Sequence, residues 1–238
     1  MDDGVTSEQA LRAELAERRR VEADLRRAIE HEKMLAREFN HRLRNKLAIV
    51  QAIVDSAARY STTVDEYRSA VSDRIGSLAR TNALLVEQNS EEMPLEKILR
   101  SEFDAYCSAG DDRFVMSGPS VWIPAPKVTP LAMAIHELSA NAVKYGALSA
   151  PGGCVHLHWD TVAEDDGPVL VINWTEKDGP RVAPPTREGF GSLLLKRLLR
   201  SRESGSVELD FAPDGLRAEI RLPLASSEDE VLNGQRVA

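Results

Sequence analysis

Apolar residues recur at helical spacing along the first ninety positions and then give way to short alternating runs. From Ser7, a candidate N-cap, a Glu/Arg/Leu/Ala-rich segment without Gly or Pro runs to about residue 39. Leu11, Leu15, Leu25, Ile29 and Phe39 fall near heptad seam positions, whereas Arg18 and Glu22 interrupt the seam. This predicts a long helix with coiled-coil character, not a perfect zipper. The helix continues without a breaker to residue 59, with Phe39, Leu43, Leu47, Val50, Val54 and Ala57 forming a bundle-like stripe. His41 lies off that stripe, with Glu38 nearly one turn back and Asn45 one turn on. After a break at Tyr60-Ser-Thr-Thr, a second helix is expected over 64–89, turning Tyr67, Val71, Ile75, Leu78 and Leu85 inward. Two antiparallel helices bury both apolar faces poorly, so pairing with a second copy into a four-helix bundle is expected. Folding of the N-terminal helix back over them is the monomeric alternative.

Pro94 opens a further helix over 94–106, since proline is tolerated in a first turn. Beyond Gly110 the pattern predicts strands at 114–117, 121–123, 154–159, 169–174, 207–211 and 217–222, the last two joined by a hairpin at Asp214-Gly215. Apolar helices at about 131–145 and 191–201 would pack on one face of this sheet. Strands backed by helices on one side indicate an α+β sandwich. The tail after Leu224 has the composition of a disordered terminus.

Composition narrows the class. The chain has 238 residues, 42% hydrophobic and 29% charged, as an ordinary soluble globular protein has. Its formal net charge of -8 argues against a nucleic-acid binder working through a broad basic surface. Cys107 and Cys154 lack the spacing of a disulfide framework or a zinc site. The N-terminus has no signal-peptide pattern, and no apolar run approaches the roughly 20 residues that span a bilayer. A cytoplasmic protein without membrane insertion is therefore expected.

Candidate chemistry centres on residues 131–148. Leu131, Ile135, Leu138, Ala142 and Tyr145 form an apolar stripe, and Glu137, Asn141 and Lys144 share a separate flank. Gly146 stands where a helix commonly ends. A carboxylate, an amide and an ammonium together suit a metal–polyphosphate. Asn or Glu oxygens can ligate Mg2+, which takes few protein ligands, and Lys supplies a point charge to phosphate. A solvated helix face is the plain alternative. His156 and His158 alternate with Val155, Leu157 and Trp159, as histidines on a wet sheet face do. Gly189-Phe190-Gly191-Ser192 precedes an apolar helix, where backbone N–H groups and the helix dipole favour phosphate.

Four motifs in order carry a family resemblance. His136-Glu137-Leu-Ser-Ala-Asn141-Ala-Val-Lys144-Tyr145-Gly146 resembles the N-box of the HWE family of bacterial sensor histidine kinases, and Trp174-Thr175-Glu176 its Trp-x-Glu. Glu38-Phe-Asn-His41-Arg42-Leu-Arg-Asn45 resembles its phosphoacceptor box. Gly179-Pro180 and Gly189-Phe190-Gly191 resemble its nucleotide-lid glycines. The resemblance implies a signalling helix at 1–34, a helical-hairpin dimerisation and phosphoacceptor domain at 35–92, a GHKL-type ATP-binding α/β sandwich at 93–224, and a tail at 225–238. It implies that ATP binds with Mg2+, that His41 is phosphorylated, and that an Asp of a response regulator receives the phosphoryl group.

Within that resemblance Asn141 is the Mg2+ ligand and Lys144 a phosphate contact. His136 touches the lid or phosphates or simply packs, and Tyr145 stacks near the nucleotide or completes the apolar face. Glu176 and Asp178, beside Gly179, compete for the adenine amino group. Arg42 stands where many histidine kinases have an acid after the acceptor, and its planar fork suits the transferring phosphoryl group. Asn45 lies within side-chain reach of His41, and Glu137 and Glu38 are the candidate proton acceptors. With only a few residues ahead of the first helix, no sensor domain precedes it, and a separate sensor protein docking there is expected alongside a homodimer. A phosphotransfer or scaffold protein with a decayed nucleotide site, and an ATPase of the same fold, are the rival readings. Nucleotide binding separates the first rival, and turnover of a His41→Ala variant the second.

Overall fold

The computed structural model describes residues 3–88, 90–106, 112–165, 167–183 and 205–224; the side chains of residues 3–13, 15, 16, 38, 41, 42 and 45 lie outside the description. The chain forms two compact units, residues 1–51 and 52–238. The boundary between these units falls inside the first helix.

The first unit is the larger part of α1 (Asp3–Tyr60), the long helix expected from its breaker-free sequence. Exposed pairs one turn apart, Glu22–Arg26 at 2.7 Å and Asp24–Arg27 at 2.6 Å, line it. Such pairs contribute about 0.3–0.5 kcal/mol each. Phe39, Leu43 and Leu47 stay exposed, Phe39 at 66%, so the apolar stripe of this unit lacks the cover a bundle partner would supply. Among the described residues no helix is long and apolar enough to cross a membrane.

The second unit starts with the last turns of α1, where Ile53 and Ala57 are buried, and continues into α2 (Val64–Gln88). Thr63 caps α2: its Oγ1 accepts the Glu66 N–H at 3.2 Å, while Glu66 Oε2 accepts the Thr62 N–H at 2.8 Å. A short β1 (Glu92–Pro94), not foreseen in the sequence, pairs antiparallel with β3 (Trp122–Pro124). Between them lie α3 (Leu95–Phe103) and β2 (Phe114–Ser117). Then come α4 (Ala125–Lys144), a 3-10 turn (Ala147–Ser149), β4 (Cys154–Glu164), β5 (Gly167–Lys177), β6 (Ser206–Ala212) and β7 (Gly215–Pro223). The five-stranded sheet has the order β2-β4-β5-β7-β6, with β2 parallel to β4 and the rest antiparallel. The expected helix over 191–201 and the tail lie outside the described residues.

The core fills the space between one sheet face and helices α3 and α4. Val155, Leu157 and Trp159 of β4 point inward, as do Leu170, Ile172 and Trp174 of β5, against Leu95, Ile98, Leu99, Leu131, Ile135 and Leu138. His156 and His158 fall on the opposite face, where Ser117 Oγ and His158 Nδ1 are 3.1 Å apart. The α+β sandwich is therefore as expected.

Two face assignments need correction. Tyr145 does not complete the apolar stripe of α4: the helix ends at Lys144, and Tyr145 is 76% exposed. On α2 Leu78 is buried and Tyr67, Val71 and Leu85 are half-buried as expected, but Ile75 is 40% exposed and the polar Ser77 and Thr81 are buried, with Arg74 half-buried beside them. Buried carboxylates on α3 and α4 satisfy that polar face, and a count of apolar residues does not register them.

Candidate functional site

Helix α4 carries the candidate residues because it is buried along almost its whole length, from Val128 to Ser139, and emerges only in its last turns. Glu137 lies on the buried part, Asn141 is half-buried and Lys144 exposed. The flank read from the sequence is thus graded, from a dry carboxylate through an amide to a wet ammonium. Among the described residues neither the Asn141 nor the Lys144 side chain is tied to a protein partner.

The end of α4 is pinned to the end of β5. Tyr145 and Gly146 both donate backbone N–H groups to Asn141 O, at 2.8 and 3.0 Å. Ala147 N–H then donates to Glu176 Oε2 at 2.7 Å, and Trp174 Nε1–H to Glu176 Oε1 at 3.3 Å. Burial pushes the Glu176 carboxyl above its ordinary range, against the pull of these two hydrogen bonds. A Cβ at Gly146 would stand 2.0 Å from Glu176 Oε2, and one at Gly179 2.4 Å from Ala147 Cα. Gly146 has φ -103°, so close approach to Glu176 demands glycine there, not a left-handed cap. Asp178, between these contacts, is exposed with φ 57°. The Trp-x-Glu segment and the end of the Asn141–Lys144 helix therefore converge on Ala147. Glu176 forms the buried brace and Asp178 the exposed carboxylate.

His136 faces elsewhere. Its Nδ1 is 3.1 Å from Glu102 Oε2, and the Tyr106 hydroxyl stands 3.1 and 3.2 Å from its two ring nitrogens. Glu102, fully buried on α3, also accepts from Ser77 Oγ at 2.9 Å, Arg80 Nη2 at 3.3 Å and Thr81 Oγ1 at 3.4 Å. Burial, followed by the nearby Glu137, Asp73 and Glu102 charges, drives the Tyr106 phenol well above its ordinary range. His136 is thus a core member of a junction between α2, α3 and α4.

Glu137 is likewise met from α2. Arg74 Nη2 donates to Glu137 Oε2 at 2.8 Å, and Arg74 Nε lies 2.5 Å from Oε1. Sequence reasoning missed Arg74, Ser77, Thr81, Glu102 and Tyr106. One signal was available: Leu95, Ile98, Leu99, Glu102 and Phe103 share one helical stripe, so Glu102 occupies a core position.

His41, Arg42 and Asn45 lie within α1, and their side chains, like that of Glu38, are outside the description. Gly189, Phe190 and Gly191 also fall outside the described residues. Among those described, no group of three His, Cys, Asp or Glu could hold a metal ion. A divalent cation here would need amide, phosphate and water oxygens, a donor set that suits Mg2+ and that Asn141 can join.

Residues 38–120 match the HWE histidine kinase family. The chain is 34% identical over 208 residues to Blue-light-activated histidine kinase 1 of Erythrobacter litoralis, covering 85% of this chain and 56% of that protein. It is 30% identical over 213 residues to the blue-light-activated histidine kinase of Brucella anthropi, covering 90% and 42%. The chain thus spans about half the length of these relatives. Among solved structures, the histidine kinase domain of the Erythrobacter litoralis blue-light activated histidine kinase aligns with TM-score 0.50 at 13% identity, over 75% of this chain and 93% of that one. A longer structure of that kinase aligns with TM-score 0.53 at 15% identity, over 78% and 61%. These likenesses give the fold, the α/β sandwich of GHKL-type kinase domains. By its matched segment and its relatives, the chain belongs to the HWE histidine kinase family.

Proposed function

We propose that this chain is an ATP-dependent protein-histidine kinase of two-component signalling that phosphorylates His41. The observation that carries the reading is the convergence on Ala147. Glu176 and Gly179 lock the Trp-x-Glu loop onto the end of α4, beside an Asn141 amide and a Lys144 ammonium without protein partners among the described residues. Asn141 would hold Mg2+ and Lys144 a phosphate, with Gly189 and Gly191 supplying backbone N–H groups on the family resemblance. When bound, Mg2+ would neutralise charge on the phosphates. Asp178, exposed at the loop tip, is the adenine contact in this reading, with Glu176 as the brace beneath it and Tyr145 free to stack on the base.

In the transfer a lone pair on a neutral His41 ring nitrogen forms the N–P bond. The bond from the γ-phosphorus to the bridging oxygen breaks, and its electron pair leaves with ADP. The proton lost from the imidazole passes to Glu137. Arg42 and Asn45, on the same helix, would steady the incoming phosphoryl group. An Asp of a response regulator receiver domain then takes the group. Residues 35–92 would serve as the phosphoacceptor part and 93–224 as the ATP-binding part. The exposed Phe39, Leu43 and Leu47 support pairing with a second copy, and α1 offers a surface for a separate sensor.

The test is incubation with γ-labelled ATP and Mg2+. Acid-labile, alkali-stable label on the wild type, lost in both His41→Ala and Asn141→Ala, is the expected result. Label that persists in His41→Ala would sink the assignment.

A further inference from the structure

Arg74 belongs to α2, yet its guanidinium is the group that the Glu137 carboxylate faces. Nη2 donates to Oε2 at 2.8 Å and Nε stands 2.5 Å from Oε1, with the two side chains 11% and 1% exposed. Nη1 donates to Ala70 O at 2.9 Å, one turn back on its own helix. The guanidinium is therefore fixed at both ends. Glu137 Oε1 is buried and is ion-paired with Arg74 Nε.

Such a pair adds little net stability, because desolvation offsets most of the attraction. Leu84 and Leu85 of α2 already pack against the core of the sandwich. What the planar fork adds is direction, since it fixes a carboxylate in plane and angle as a point charge does not.

We propose that Arg74 is a positioning residue for phosphoryl transfer, its guanidinium fork facing both oxygens of the Glu137 carboxylate and fixing it in plane and angle. The proposal rests on the kinase reading in which Glu137 takes the imidazole proton. It also ties the acid of the nucleotide-binding part to α2, so that moving α2 off α4 disorients Glu137.

The experiment compares the full-length wild type with Arg74→Lys, Arg74→Ala, Glu137→Gln and the Arg74→Ala/Glu137→Gln double variant. Single-turnover labelling, Mg2+-ATP affinity and melting of the ligand-free chain are read on each. Arg74→Ala and Glu137→Gln should each slow labelling about 100-fold with affinity nearly unchanged, the scale of a misplaced or missing proton acceptor. Arg74→Lys should fall between wild type and Arg74→Ala. The double variant should be no slower than Glu137→Gln, and the two ligand-free melting shifts should be non-additive. If Arg74→Ala does not fold, the rate of Arg74→Lys decides: wild-type speed overturns the proposal. A normal or faster Arg74→Ala beside a slow Glu137→Gln overturns it while the kinase reading stands. A Glu137→Gln as fast as wild type removes the role of Glu137 and this proposal together. A wild type that takes no label sinks both readings.

Discussion

The Glu176 carboxylate accepts the Ala147 backbone N–H at 2.7 Å, which fastens the strand that ends in Trp-x-Glu to the helix that carries Asn141. That brace is a buried acid whose pKa is raised, chiefly by burial. An acid raised above its unfolded value contributes stability that is fully present below the unfolded pKa. The contribution is lost as pH rises through the folded pKa. Wild type should therefore lose melting temperature relative to Glu176→Gln as pH is taken from about 4, near the ordinary Glu value, to 8. Parallel melting curves at every pH would show that Glu176 does not titrate differently in the fold.

Glu102 gathers Ser77, Arg80, Thr81 and His136 around one fully buried carboxylate. Glu102→Ala strips the partner from several groups at once and should destabilise the chain by about 3–5 kcal/mol in urea unfolding. Glu102→Gln keeps an acceptor and should cost clearly less. Equal costs for the two would mean that cavity formation, not the polar junction, sets the loss.

Much of this architecture was readable along the chain, and the failures share one cause. Six strands and the helices of α1 to α4 follow from period and punctuation, down to the break after Tyr60 and the hairpin at Asp214-Gly215. The short β1 carries no period, being three residues long. The polar part of the inward face of α2 escapes a sequence reading because Arg74, Ser77 and Thr81 look solvated by composition. Only the facing Glu102 and Glu137, 21 to 63 positions away in the chain, give them partners that let them turn inward. At the site, helical spacing put Glu137, Asn141 and Lys144 on one flank, but spacing carries no information about depth. The Glu176 brace requires knowing that Ala147 and the end of β5 are neighbours, which no local pattern states.

His136 lies in the same helix as Asn141 but points to Glu102 and Tyr106. His136→Ala should lower thermal stability while leaving Mg2+-ATP affinity nearly unchanged. Asn141→Ala should instead lower that affinity by about 10–100-fold, the scale on which metal-site partners act. Calorimetric titration of both variants separates the roles. A comparable affinity loss in His136→Ala would place the ring at the nucleotide.

The tight packing of Gly146 on Glu176 gives a test of the brace that needs no activity. A Cβ at Gly146 would meet Glu176 Oε2 at 2.0 Å and Ala142 Cα at 2.9 Å. The first contact involves a side chain and the second a helix backbone, so only the first can be relieved by mutation. Gly146→Ala should cost roughly 1–3 kcal/mol, as overpacking of a tight interior does. Glu176→Ala should also destabilise, because the Ala147 N–H and the Trp174 indole lose their acceptor. Combined, the two should cost less than their sum, since truncating Glu176 vacates the space that the new methyl group needs. Full additivity in a denaturation cycle would mean that the helix backbone, not the carboxylate, is what Gly146 must clear.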